Sequence, residues 1–129
     1  MKSGLLVVGA GGHGSVVADA AHEQGLWSQI AFLDDRPTSQ PLIADWPILG
    51  ATDQASKWLK KYTDLIVAIG DNAHRIQLIQ KFKDQGFNIP VICHPTACVS
   101  AYADIGAGSV LAAQCAVNAG ARLGREAVL

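Results

Sequence analysis

The sequence predicts an α/β protein in two parts, a small Rossmann-like parallel sheet followed by the start of a parallel β-helix. Three observations carry this reading. A short apolar run leads straight into Gly9-Ala10-Gly11-Gly12-His13-Gly14, apolar runs alternate with helical patterns as far as His94, and a strict six-residue period follows.

Leu5 to Val8 is a continuous apolar run of strand length. The glycine loop Gly9 to Gly14 follows, then a helical pattern from Ser15 to about Gln24, stopped by Gly25. Ile30 to Leu33 predicts a second buried strand that ends in Asp34 and Asp35. Residues 36–47 are rich in proline and polar side chains, read as a loop, and form the segment expected to move most. Thr52 is placed to cap a helix to about Lys61, with Ala55, Trp58 and Leu59 at helical spacing. Leu65 to Ile69 predicts a third strand, closed by Gly70, Asp71 and Asn72. Asp71 or Asn72 can cap the next helix, whose apolar face is Ile76, Ile79 and Phe82 and whose stop is Gly86. Pro90 to Cys93 predicts a fourth strand, and parallel βαβ connection is the natural way to join these pieces. His94-Pro95 marks the junction, dividing the chain into residues 1–95 and 96–129.

Beyond it, Val99, Ile105, Leu111, Val117, Leu123 and Leu129 recur at every sixth position. Two residues before each stands a small one: Ala97, Ala103, Ser109, Cys115, Ala121 and Ala127. This period is neither that of a helix nor that of a simple strand. It suits a β-helix of triangular section, in which each flat side takes about six residues, the aliphatic points inward, and only a small side chain fits near the corner. The plainer alternative is two or three ordinary strands with glycine turns. Leu129 is both in register and final, and stacked repeats need about three units and a cap. The sequence therefore reads as the front of a longer protein.

Composition narrows the class. Half of the residues are hydrophobic and the formal net charge is −1, which gives no invitation to nucleic acid or to an acidic membrane surface. Cys93, Cys98 and Cys115 are odd in number and form no C-x-x-C pair, which argues against a disulfide framework and a zinc site and for a reduced, cytoplasmic compartment. The apolar start is too short for a signal peptide, and no stretch is long enough for membrane insertion. No metal is predicted.

Gly9, Gly11 and Gly14 have the spacing G-x-G-x-x-G between a strand and a helix, where backbone amides and a helix N-terminus can hold phosphate. Asp34 lies 25 residues after Gly9, about where a dinucleotide fold places a ribose-binding carboxylate. The structural alternative is a tight turn whose glycines only let helix and strand pack closely. About four strands precede the hexads, fewer than the two halves of a dinucleotide fold, so one nucleotide is favoured over two. At the carboxyl ends of the strands the glycine loop, Asp34 with Asp35, and Gly70 with Asp71 and Asn72 converge. Phosphate falls to Gly11, Gly12 and Gly14, and sugar or base to the acids, which would repel phosphate.

In order along the whole chain, GAGGHG, then FLDD, then AIGDN, then His94-Pro95-Thr96-Ala97-Cys98-Val99-Ser100 and the hexads resemble the sialic acid and bacillosamine type of sugar acyltransferase. The resemblance implies a Rossmann-like domain holding a UDP-linked amino sugar and a left-handed β-helix that forms a homotrimer and binds acetyl-CoA between subunits. It implies acetyl transfer to an amine or a hydroxyl of the sugar, in surface glycan biosynthesis. Residue by residue, Gly11, Gly12, His13 and Gly14 match the substrate loop, Asp34 and Asp35 the paired acids, and Gly70 a third contact. Asn72 and Arg75 are added candidates, Arg75 because its guanidinium can turn toward a phosphate or else stay solvated. His13 stands closest to a bound sugar and can hydrogen-bond a hydroxyl or an amine; its plainer reading is a loop histidine satisfied by backbone.

The general base of the resembled enzymes is a histidine followed by an acid within the hexads, and no histidine follows His94 here. It is expected beyond Leu129, so the chain is expected to bind a UDP-sugar without turnover. His94 reads as a structural residue of the junction and Glu126 as a solvated edge residue. Two other classes stand beside the transferase: a non-catalytic module that binds nucleotide and oligomerises, and an NAD-dependent oxidoreductase built on the glycine motif.

Overall fold

The computed structural model describes residues 3–36 and 46–124. Residues 37–45 of the expected loop, together with Glu126, Ala127 and Leu129, lie outside the described residues. The elements in order are β1 (Leu5–Val8), α1 (Gly12–Gln24), β2 (Ile30–Leu33), β3 (Ile48–Gly50), a 3-10 helix (Thr52–Trp58), β4 (Asp64–Val67), α2 (Asn72–Asp84), and six two-residue strands. These are β5 (Ile92–Cys93), β6 (Cys98–Val99), β7 (Asp104–Ile105), β8 (Val110–Leu111), β9 (Ala116–Val117) and β10 (Arg122–Leu123).

The first four strands form one parallel sheet in the order β3-β2-β1-β4. All four residues of β1, β2 and β4 are buried, as expected of a parallel sheet covered on both faces. Alternate side chains feed two cores. Leu5, Val7, Ile30, Phe32 and Ile66 pack with Val17, Ala18 and Ala21 of α1, while Leu6, Val8, Leu33, Leu65 and Val67 pack with Ile79 and Phe82 of α2.

Three expectations are corrected. α1 begins at Gly12 rather than Ser15, because glycines cost little in a first turn, where the amides have no helical partner in any case. The segment after Ala51 is 3-10 rather than α, and Thr52 is its first residue, not its cap; Ala51 takes the N-cap position without a side-chain bond. The strand near Cys93 does not join the sheet. Ile92 pairs with Val110 and Cys93 with Leu111. The short edge strand β3 was not read in the sequence.

The hexad region winds with a repeat of eighteen residues. Ile92 pairs with Val110, Cys98 with Ala116 and Asp104 with Arg122, always in parallel, so 110 − 92, 116 − 98 and 122 − 104 each equal 18. Three six-residue sides therefore make one coil. The corners repeat as well: the amides of Ala97, Ala103, Ser109, Cys115 and Ala121 each donate to the carbonyl three residues earlier. These are the small positions of the sequence pattern. Ser109 is fully buried, and its hydroxyl lies 2.7 Å from the Gly106 carbonyl and 3.2 Å from that of Gly124, the equivalent position one coil on. Leu111 and Val117 point into the coil and are buried, whereas Val99 is 38% exposed.

Coil and sheet share a core. Ile92 and Val110 belong to the same apolar cluster as Val17 and Ala21, and α1 packs against β5. Among the described residues, no helix is long and apolar enough to cross a membrane.

Candidate functional site

The loops that follow β1, β2 and β4 meet in a cleft of about 360 Å³ at the carboxyl end of the sheet, within the roughly 300–1,000 Å³ of small-molecule sites. Gly11, Gly12, His13, Gly14, Asp34, Asp35 and Gly70 all line it, joined by Arg36 and Thr52. A larger hollow of about 450 Å³ lies at the opposite, amino end, lined by Trp27, Trp46 and Tyr62 among others. Ligands of open parallel sheets gather at the carboxyl ends of strands, which favours the first.

The glycines of the loop divide by cause. Gly9 has φ +108°, and a Cβ there would stand 2.7 Å from the Ala68 carbonyl oxygen. A Cβ on Gly14 would overlap the carbonyl oxygen of Gly9. Those two are glycine so that the turn can close on the sheet and the helix can pack on the turn. A Cβ on Gly12 or Gly70 would meet nothing within 4 Å, so the protein itself gives no steric reason for glycine at either. Both line the cleft.

α1 starts at once after the loop. Gly11 is its N-cap and has no side chain to offer, so the amides of Gly12, His13 and Gly14 face the cleft end of the helix without helical partners. Such amides, with the positive end of the helix dipole, form an anion site. His13 sits in the first turn of α1 rather than in a loop, half-buried, and no group among the described residues hydrogen-bonds to its ring.

The paired acids are both engaged. Asp34 Oδ2 accepts the amide of Ala10 at 2.9 Å, and Oδ1 accepts the amide of Arg36 at 2.9 Å. The Arg36 guanidinium closes a fork on the same carboxylate, Nε to Oδ1 at 3.2 Å and Nη2 to Oδ2 at 3.0 Å. That side-chain pairing, opposed by desolvation and helped by the two amides, lowers the Asp34 pKa from 3.8 to about 2. Asp35 Oδ1 accepts the amide of Thr52 at 2.8 Å, capping from seventeen residues away the helix for which Ala51 offers no cap.

Asn72 and Arg75 stand outside the lining of the cleft. Asp71 is the N-cap of α2, accepting the His74 amide at 3.0 Å, and Arg75 Nη2 donates to Asn72 Oδ1 at 2.8 Å within the first turn. Arg36, at the start of the proline-rich segment, also lines the cleft; its signal in the sequence is a cation directly after the paired acids. His94 is bound into the coil: Nδ1 accepts the Thr96 amide at 3.1 Å, and the Thr96 hydroxyl oxygen accepts the Gln114 amide at 3.0 Å.

The likeness to known proteins is broad. The chain superposes over 99% of its length on the acetyltransferase domain of PglB from Neisseria gonorrhoeae FA1090, solved in complex with acetyl coenzyme A, at 39% identity and TM-score 0.90. A histidine-to-asparagine mutant of perosamine N-acetyltransferase from Caulobacter crescentus, in complex with CoA and GDP-perosamine, matches 99% of the chain at 31% identity and TM-score 0.88. PerB from the same organism, also with CoA and GDP-perosamine, matches at 30% identity and TM-score 0.85. The chain spans 62% of the first of these proteins and 60% of the other two. Residues 4–82, which hold the whole parallel sheet, α1, α2 up to Phe82 and the cleft, match the PglD N-terminal domain, and with more than half of its residues so matched the chain belongs to that bacterial sugar acetyltransferase family.

Proposed function

We propose that this chain is the nucleotide-sugar-binding part of a cytoplasmic, acetyl-CoA-dependent N-acetyltransferase that acts on a UDP-linked amino sugar for surface glycans. The observation that carries it is the pair of open glycines, Gly12 and Gly70, facing one cleft beside the free first-turn amides of α1. A ligand that approaches the backbone closely, by phosphate at Gly12 and by sugar at Gly70, accounts for both. The proteins it is similar to were solved with CoA and a nucleotide-linked amino sugar, or with acetyl coenzyme A.

In this reading the amides of Gly12, His13 and Gly14 hold phosphate, Gly70 gives room for the sugar, and the imidazole of His13 hydrogen-bonds a sugar substituent. Asp35 keeps one carboxylate oxygen beyond its bond to Thr52 for ribose or base. Residues 1–95 carry the nucleotide sugar. The coil, whose strands begin at Ile92, belongs to the homotrimer that holds acetyl-CoA.

Acetyl transfer to an amine needs a base to take the proton as nitrogen attacks the thioester carbonyl. Residues 95–129 contain no histidine, so in this reading the hexads of this chain offer no imidazole for that step and the chain binds substrate without turning it over. The histidine mutation chosen in the similar perosamine enzyme fits such a base.

Calorimetric titration of the chain with UDP, a UDP-linked amino sugar, NAD and acetyl-CoA tests the proposal. UDP-sugar binding that weakens in His13→Ala, with NAD silent, supports it. NAD binding in place of UDP overturns it in favour of an oxidoreductase, and detectable acetyl transfer by this chain overturns the assignment of the base.

A further inference from the structure

We propose that Arg36 grips the diphosphate of a nucleoside diphosphate in the cleft, and that Asp34 is its positioning residue. This rests on the nucleotide-sugar reading above and adds to it a residue that the family motifs do not include.

Charge is the first argument. Among the described residues lining the cleft, Arg36 is the one lysine or arginine, set against Asp34 and Asp35. A diphosphate entering beside two carboxylates is repelled unless a cation stands between them and it.

Orientation is the second. The Asp34 side chain is 5% exposed and that of Arg36 is 70% exposed, so the ion pair stands with its negative end inward and its positive end toward solvent and ligand. Asp34 is also tied to the Ala10 amide, which fixes the inner end to the glycine loop.

Geometry is the third. Of the five guanidinium donors, Nε and one Nη2 hydrogen serve Asp34, leaving the Nη1 pair and the second Nη2 hydrogen in a planar fork. A fork suits bidentate binding of phosphate oxygens, which an ammonium cannot reproduce. Nη2 lies 3.3 Å from where a Cβ of Gly11 would be, which places the guanidinium over the N-cap of α1, beside the amides that already favour an anion. The guanidinium is mostly in solvent, which screens the pair and keeps its contribution to folding small, so the larger effect of Arg36 falls on the ligand.

The test is titration of the chain with UDP and with uridine, the nucleoside being followed by competition. Arg36→Gln is expected to weaken UDP on the order of tenfold or more, the scale of a lost charge-assisted hydrogen bond, to change uridine by less than about twofold, and to flatten the salt dependence of UDP binding. Arg36→Lys falls in between. In an Asp34→Asn background, Arg36→Gln costs less than in the wild type, the non-additivity that positioning requires. An unchanged unfolding midpoint of Arg36→Gln shows that the fold is intact. Equal losses for UDP and uridine, or undiminished UDP affinity, overturn the role of Arg36 and leave the cleft reading standing. A wild type that binds no UDP overturns both.

Discussion

The carboxylate of Asp34 accepts the amide of Ala10 at 2.9 Å and so ties the end of β2 to the glycine loop that follows β1. The two strands already pair along their length, from Leu5 opposite Ile30 to Val8 opposite Leu33. The bond carries that pairing past the end of the sheet into the irregular loop that forms the wall of the cleft. A residue of a type suited to touching substrate thus builds the site.

The hydrogen bonds on this carboxylate, the Arg36 side chain's first and then the amides of Arg36 and Ala10, have a pH signature. The Asp34 pKa falls from 3.8 to about 2 on folding. A depressed carboxylate pKa means that its stabilisation is fully present above about pH 4 and is lost as pH falls toward 2. Urea unfolding between pH 6 and pH 2 is expected to show a steeper acid loss for the wild type than for Asp34→Asn. Parallel curves would place the acid sensitivity elsewhere.

Asp35 supplies a cap that its own helix lacks. Removing the acceptor in Asp35→Ala strands the Thr52 amide, in a residue that is itself buried, and is expected to cost about 1 kcal/mol, as lost N-caps do. Asp35→Asn keeps an oxygen acceptor and is expected to cost less. Chemical denaturation of the two variants separates the cap from any effect on ligand, which the Asn variant would still show.

Much of this fold was written in local patterns. β1 and β2 run over the same residues as the apolar runs because a buried parallel strand bounded by glycine or aspartate leaves no other trace. The corner pattern of the coil was legible for the same kind of reason, since a small residue at each sixth position reflects space at each corner. What the sequence hid was long-range. That Ile92 pairs with Val110 rather than beside β4 depends on where the coil closes, and that Asp35 caps Thr52 depends on how β3 brings the chain back. The glycine loop and both acids singled out in the sequence line one cleft, but which glycines have a steric cause is not legible there, because glycines with one and glycines without look alike as letters.

The coil holds one strained position. Gly108, Gln114 and Gly120 stand six apart, all with positive φ, and Gln114 at +63° is the only one with a side chain. A left-handed conformation costs a non-glycine residue roughly 1 kcal/mol, part of which glycine returns through its greater unfolded-state entropy. Gln114→Gly is expected to raise the unfolding midpoint modestly, and Gln114→Val to lower it, since branching at Cβ sharpens the clash. Thermal unfolding followed by circular dichroism reads both.

Gly12 and Gly14 are two residues apart and are expected to answer the same substitution in opposite ways. An alanine methyl at Gly14 would overlap the carbonyl oxygen of Gly9, and backbone on both sides leaves nothing flexible to give way. Gly14→Ala is therefore expected to fold poorly, losing several kcal/mol, as overpacking against rigid neighbours does. At Gly12 the methyl has open space and stands at the first position of a helix, where alanine is tolerated at least as well as glycine. Gly12→Ala is expected to keep or raise stability while weakening nucleotide binding, because the space it fills is where a phosphate would meet the amides. Thermal unfolding and UDP titration of the two variants check this together. A stable Gly12→Ala protein with undiminished UDP affinity would show that the open glycine faces solvent rather than ligand.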